Sequence, residues 1–226
     1  MRRLTLLTAV AAACAVAAAP AYATNECRGL QVCVPVAGPW VLAKPGRVEY
    51  QLSCPPRFIV GGLDAEVSSR GVDVGFVGSL GSPVNPGITT SKDAVFLGQL
   101  VRGADRAPTF RPHIGCVPAQ GGGGRTPTAY HALPPGKPTT RHVIEIAALA
   151  GMTQHATHTC ARGERLVSAT HAVGFYGAAP PPAALARAVH VTQRVDAGRV
   201  SLTIRGGNAI AETRVSVQLD LVCTPK

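Results

Sequence analysis

The sequence predicts an all-β fold made of two tandem Greek-key-like β-sandwich modules, products of an internal duplication, with one disulfide closing each. Three observations lead there: short segments of alternating apolar and polar residues, Gly and Pro between them, and a cysteine-framed stretch that occurs twice. Alternation with a period of two turns one side of a strand to a core and the other to water. Gly supplies 25 and Pro 19 of the 226 residues, a turn-rich composition, while 46% apolar residues suffice for a core. No Gly-X-Y period and no sustained heptad occurs, which excludes collagen and coiled coils.

The first element is an address. Arg2 and Arg3 precede an apolar run over residues 4–19, and Ala21-Tyr22-Ala23 is a small-residue processing site. This predicts a signal peptide over 1–23 and a mature start at Thr24. The run is short for a membrane span, and Cys14 follows Ala11-Ala12-Ala13 rather than the leucine-containing box of a lipidation site. Removal of the peptide leaves 203 residues, a net charge of +8 and six of the seven cysteines. No later stretch is long and apolar enough to span as a helix. The mature chain is therefore expected to be secreted, extracellular or attached to the cell wall, where disulfides persist.

The first β-rich module is expected over 24–118. Residues 48–54 alternate, with Val48, Tyr50, Leu52 and Cys54 on one face, and 73–80, 94–101 and 110–116 read as further strands. A Gly/Pro-rich linker follows over 119–140. Its glycines at 121–124 run into Arg125-Thr126-Pro127, not the Gly-Lys-Ser/Thr that a phosphate loop needs. The second module, 141–226, offers strands at 142–147, 165–173, 189–195, 199–204 and 215–222. Asp196-Ala197-Gly198 makes a hairpin loop, and Val215, Val217, Leu219 and Leu221 point inward. Only residues 183–188 have helical composition.

The duplication rests on the cysteines. Cys54 aligns with Cys160, and with one extra residue just after Cys160 the match runs Ile59 with Leu166, Val60 with Val167, Gly61 with Ser168 and Ala65 with Ala172. Both stretches close alike, at Ile114-Gly115-Cys116-Val117-Pro118 and Leu221-Val222-Cys223-Thr224-Pro225. The repeat selects Cys54 with Cys116 and Cys160 with Cys223, leaving Cys27 and Cys33 as a local loop. A metal or redox role is disfavoured, because no C-x2-C occurs and the spacings are unlike zinc ribbons.

Cys54-Pro55, Gly61-Gly62 and Cys116 resemble a C-P-x-G-x(4)-G-G…C pattern of exported actinobacterial repeat proteins, in which a second cysteine closes a β-rich module. Cys160, Gly163 and Cys223 match too, whereas Ala161 replaces the Pro and Ser168-Ala169 the Gly-Gly. The resemblance implies architecture and localisation and brings no catalytic residues.

Few residues fall into patterns that carry chemistry. His155 and His158 are three apart, so on a strand they face opposite sides and do not join His171 around one metal. Ser68, Asp64 and His171 lack the local signature of a nucleophilic triad. Asp64, Glu66 and Asp73 could serve as paired carboxylates, but solubility explains them more economically. Nine aromatics in the mature chain leave few platforms for sugars or bases, and Trp40 reads as a packing residue. Spread basic residues disfavour nucleic acid, and no metal or cofactor is expected. The most distinctive loop, 81–91, offers Ser82, Asn85, Thr89 and Thr90 as a candidate binding loop; its counterpart over 177–182 lacks the hydroxyls. The expected function is a secreted non-catalytic binding or cell-envelope structural protein. Its partner is expected to be an anionic cell-wall polymer or another extracellular protein. The alternatives are an extracellular hydrolase of wall or matrix polymer and a secreted inhibitor.

Overall fold

The computed structural model describes residues 24–77, 92–101, 107–119 and 139–226. The expected signal peptide, the candidate loop with Ser82, Asn85, Thr89 and Thr90, and nearly all of the expected linker lie outside the described residues.

Strands dominate. The first half contributes β1 (Val34–Ala37), β2 (Trp40–Leu42), β3 (Arg47–Ser53), β4 (Phe58–Val67), β5 (Val72–Val77), β6 (Asp93–Leu100) and β7 (Thr109–Pro118). The second contributes β8 (Thr140–Ala147), β9 (Thr153–Thr159), β10 (Glu164–Phe175), β11 (Val189–Asp196), β12 (Arg199–Gly206) and β13 (Val215–Pro225). The helical composition after Pro182 yields only α1 (Ala183–Ala186), one turn. Among the described residues no helix is long and apolar enough to cross a membrane.

The strands form three sheets. Two are three-stranded, β3-β6-β5 and β11-β12-β9; the third runs β1-β7-β2-β10-β13-β8, with β4 also on β7. This large sheet crosses both halves through β2, whose Val41 pairs with Phe110 of β7 and with Gly174 of β10, while Trp40 pairs with Phe175. Neighbouring residues of a strand point to opposite faces. Val41 accordingly enters a core with Val48, Tyr50, Phe96, Phe110 and Ile114. Trp40 enters the other core, with Phe175, Leu202, Ile204, Leu219 and Leu221. The two small sheets therefore cover opposite faces of one shared sheet, at its two ends. Burying each such Val, Leu, Ile or Phe side chain stabilises the fold by roughly 1.5–3 kcal/mol.

Pairing in the two halves is alike. β3-β6-β5 has the order of β9-β12-β11, and β4 and β10 flank β7 and β13 as β8 flanks β13 and β1 with β2 flank β7. Disulfides join Cys54 to Cys116 and Cys160 to Cys223, at sequence separations of 62 and 63, and Cys27 to Cys33. After each opening cysteine comes the same turn. Phe58 N–H donates to Pro55 O and Glu164 N–H to Ala161 O, both at 3.0 Å. Arg57 (φ 71°) and Gly163 (φ 89°) hold its left-handed position.

The ladder corrects the alignment read from the sequence. Val60 and Leu166 stand opposite the closing cysteines, each followed by a bulge before Gly62 and Ser168. Val60 thus matches Leu166 rather than Val167, and no residue is inserted after Cys160. The one-residue difference between the halves lies past the bulge.

A second difference concerns β13. Val215, Val217, Leu219 and Leu221 are at most 2% exposed, but Ser216, Gln218 and Asp220 on its other face are buried as well. Strand β3 of the first half lies over them. The Gln218 side chain acts as a strand there, accepting from Gln51 N–H (2.7 Å) and donating to Gln51 O (3.0 Å).

Candidate functional site

Where β3 approaches β8 and β13, a cleft of about 610 Å3 opens between the halves. Its floor and walls come from alternating strand positions. β8 turns Arg141, Val143 and Glu145 the same way, β3 contributes Tyr50 to Ser53, and Tyr176 stands just beyond β10. One wall is an ion-pair chain. Arg141 Nη1 contacts Glu49 Oε2 at 2.8 Å and also Asp220 Oδ2, and Arg47 reaches Glu49 at 3.0 Å. Burial pushes the Asp220 carboxyl up from its ordinary range, with Arg141 opposing that shift.

The other wall is aromatic. Tyr176 Oη donates to Glu145 Oε1 at 2.8 Å. The Arg214 guanidinium sits 4.2 Å from the Tyr176 ring centroid and 3.9 Å from Glu145. Tyr50 has its hydroxyl pushed well above the ordinary tyrosine value, first by burial and then by its hydrogen bond with Tyr176. The arrangement presents a ring face, a carboxylate, an amide and a guanidinium to one solvent-open space. Polar groups thus stand on strands around a partly apolar floor.

Residues singled out in the sequence are dispersed. His155 and His158 lie on opposite faces of β9. His171, on β10, donates from Nδ1 to Gln193 Oε1 (2.7 Å) and accepts at Nε2 from Lys44 Nζ (2.8 Å). Burial lowers both the His171 and Lys44 pKa values. Asp64 accepts from Asn25 N–H, and Ser68 Oγ accepts from Thr109 N–H. The triad on paper is therefore not brought together. Glu66 lies 3.1 Å from His113, whose other nitrogen is 3.8 Å from buried Glu26; Asp73 sits apart on β5.

Among the described residues, His142, Glu164 and Cys223 come close enough to share an ion, but Cys223 is bonded to Cys160 and has no thiolate to offer. His142 Nε2 and Glu164 Oε2 share a hydrogen bond at 2.7 Å, which lowers the Glu164 pKa. Trp40 is 3% exposed, at the junction of the halves.

Sequence reasoning missed Arg141, Glu145, Tyr176 and Gln218. Nothing in a single strand marks them, because the cleft exists only once β3 is laid across β13. No family model, no curated protein and no solved structure matches this chain.

Proposed function

We propose that this is an exported, non-catalytic binding protein of the cell envelope that holds its ligand in the cleft between its halves. The carrying observation is the cleft itself, where Tyr176, Glu145 and Arg141 converge on about 610 Å3 of open space. Three disulfides support an oxidising, extracellular setting. The carboxylates in and around the cleft favour binding over hydrolysis, since Glu49 and Asp220 are held by Arg141 and Glu145 by Tyr176. The ligand class is an anionic wall polymer: the chain is basic, and Arg214, 71% exposed, stands beside the Tyr176 ring.

The same reading takes the halves as products of an internal duplication. Matching strand order, the shared turn and the bulge at one place in β4 and β10 support it.

The test is a pull-down on purified cell wall at low and high salt. Binding that survives high salt and falls about tenfold in Tyr176→Ala supports the cleft, a loss of about 1.4 kcal/mol. Loss of all binding at high salt, or a Tyr176→Ala variant that binds like the parent, overturns it.

A further inference from the structure

We infer that copies of this chain join head to tail, the β4 edge of one molecule pairing with the β8 edge of the next. This goes beyond the ligand reading and does not depend on it.

The observation is the contact by which the halves meet. β2 and β10 pair through Trp40 with Phe175 and Val41 with Gly174. β2 flanks β7 as β8 flanks β13, while β10 flanks β13 as β4 flanks β7. The junction therefore joins unlike edges: a β8-type strand of one half meets a β4-type strand of the other. A contact between unlike surfaces is not two-fold self-complementary: it leaves one complementary edge at each end, so a third copy can follow a second into a ring or an open filament. Among the described residues β4 pairs only with β7, and β8 only with β13.

Backbone direction agrees. Ala43 N–H donates to Pro108 O, so Trp40 and Leu42 turn their amides away from β7, toward β10. Ala148 N–H donates to Val215 O, so Glu145 and Ala147 turn theirs away from β13. Tyr176 N–H donates to Arg214 O, which leaves Val173 and Phe175 facing β2. Ser68 N–H donates to Thr109 O, which leaves Ala65 and Val67 facing outward. In the register of the internal junction, Val67 falls opposite Ala147. Side chains fit an unfinished contact: Val67 is 46% exposed at one end, and Leu149 and Met152 are 44% and 52% exposed just past the other. The Trp40–Phe175 pair has polar counterparts in Glu145 and Ser69, so the contact between copies is weaker than the internal one.

Sedimentation velocity on the oxidised protein from micromolar to millimolar concentration tests this. The expected result is a mass that rises continuously past that of a dimer. Val67→Pro and Ala147→Pro each remove one outward amide without touching a ladder bond, and each alone is expected to be monomeric. Mixed together they are expected to form a one-to-one dimer and nothing larger, since each keeps one complementary edge. If circular dichroism shows either proline variant unfolded, Val67→Lys and Ala147→Lys take its place. A parent that stays monomeric at millimolar concentration, a symmetric dimer that grows no further, or a mixture that stays monomeric overturns the inference.

Discussion

The first half of the molecule and the second differ most on the outer face of the shared sheet, away from their own cores. In the first half the N-terminal segment lies there. A Cβ on Gly62 or Gly115 would fall 1.8 Å or 2.1 Å from the Glu26 carbonyl oxygen. Glu26 itself is 5% exposed. In the second half the matching positions carry Ser168 and Val222, and the neighbouring face is covered by β3 through Gln51 and Glu49. On β7 and β13 the inward residues are apolar in both halves, Phe110, Ile114 and Cys116 against Val217, Leu221 and Cys223, while the outward residues differ with the neighbour that covers them. Two sets of strands in like order thus carry two different coverings.

Disulfide removal gives the largest expected effect. Replacing Cys54 and Cys116 by Ala, or Cys160 and Cys223, is expected to cost about 4 kcal/mol each in the chain-entropy model. Nearly equal shifts in urea midpoint support equivalent staples, and a large inequality breaks the comparison. Next comes Gly62→Ala, expected to cost about 2 kcal/mol by overpacking against Glu26. Ser168→Ala at the matching position is expected to stay within about 0.5 kcal/mol. If both shift alike, the glycine serves the bulge and not the N-terminal segment.

The shared turn offers a smaller and opposite pair. Arg57 occupies a left-handed conformation that Gly163 adopts freely. Arg57→Gly is expected to stabilise by about 1 kcal/mol and Gly163→Ala to destabilise by a similar amount, read as thermal midpoints. The smallest effect is a pH dependence centred on His171 of β10. Burial depresses the His171 pKa, so the folded state prefers the neutral ring that receives Lys44. Its contribution is complete above the ordinary value of about 6.5 and is lost as pH falls from there through the depressed native value. Amide exchange should accelerate in β10 and not in β4 over that window. His171→Gln should abolish the effect, and equal acceleration in both strands would assign it elsewhere.

The all-β class was legible because β3, β12 and β13 alternate clearly, and disulfide bonding because the cysteines number six once Cys14 is set aside. The bonded pairs are those whose spacing the sequence repeats. β1 and β2 carried no such signal, since Pro35, Gly38 and Pro39 break the pattern of what is one interrupted strand along β7. β9 is made of Thr, His, Gln and Ala, with no apolar stripe to announce it. The alignment slip arose because similar residues, Val60 and Val167, sit one register apart. Only the ladder to the closing cysteine separates them. The cleft was illegible for a different reason. Its residues are ordinary polar strand positions until a strand distant in the chain lies across them, as the 167-residue separation of Gln51 and Gln218 makes plain.

Trp40 has a practical consequence. It is the single tryptophan of the chain, carried by the first half but packed in the core of the second. Its emission therefore comes from one place, the seam where β2 meets β10, with the Arg111 guanidinium 6.0 Å from the ring. A red shift on mild denaturation, ahead of the loss of far-ultraviolet β signal, would time the parting of the halves separately from their melting. The molecule carries its own fluorophore at the joint whose strength matters most.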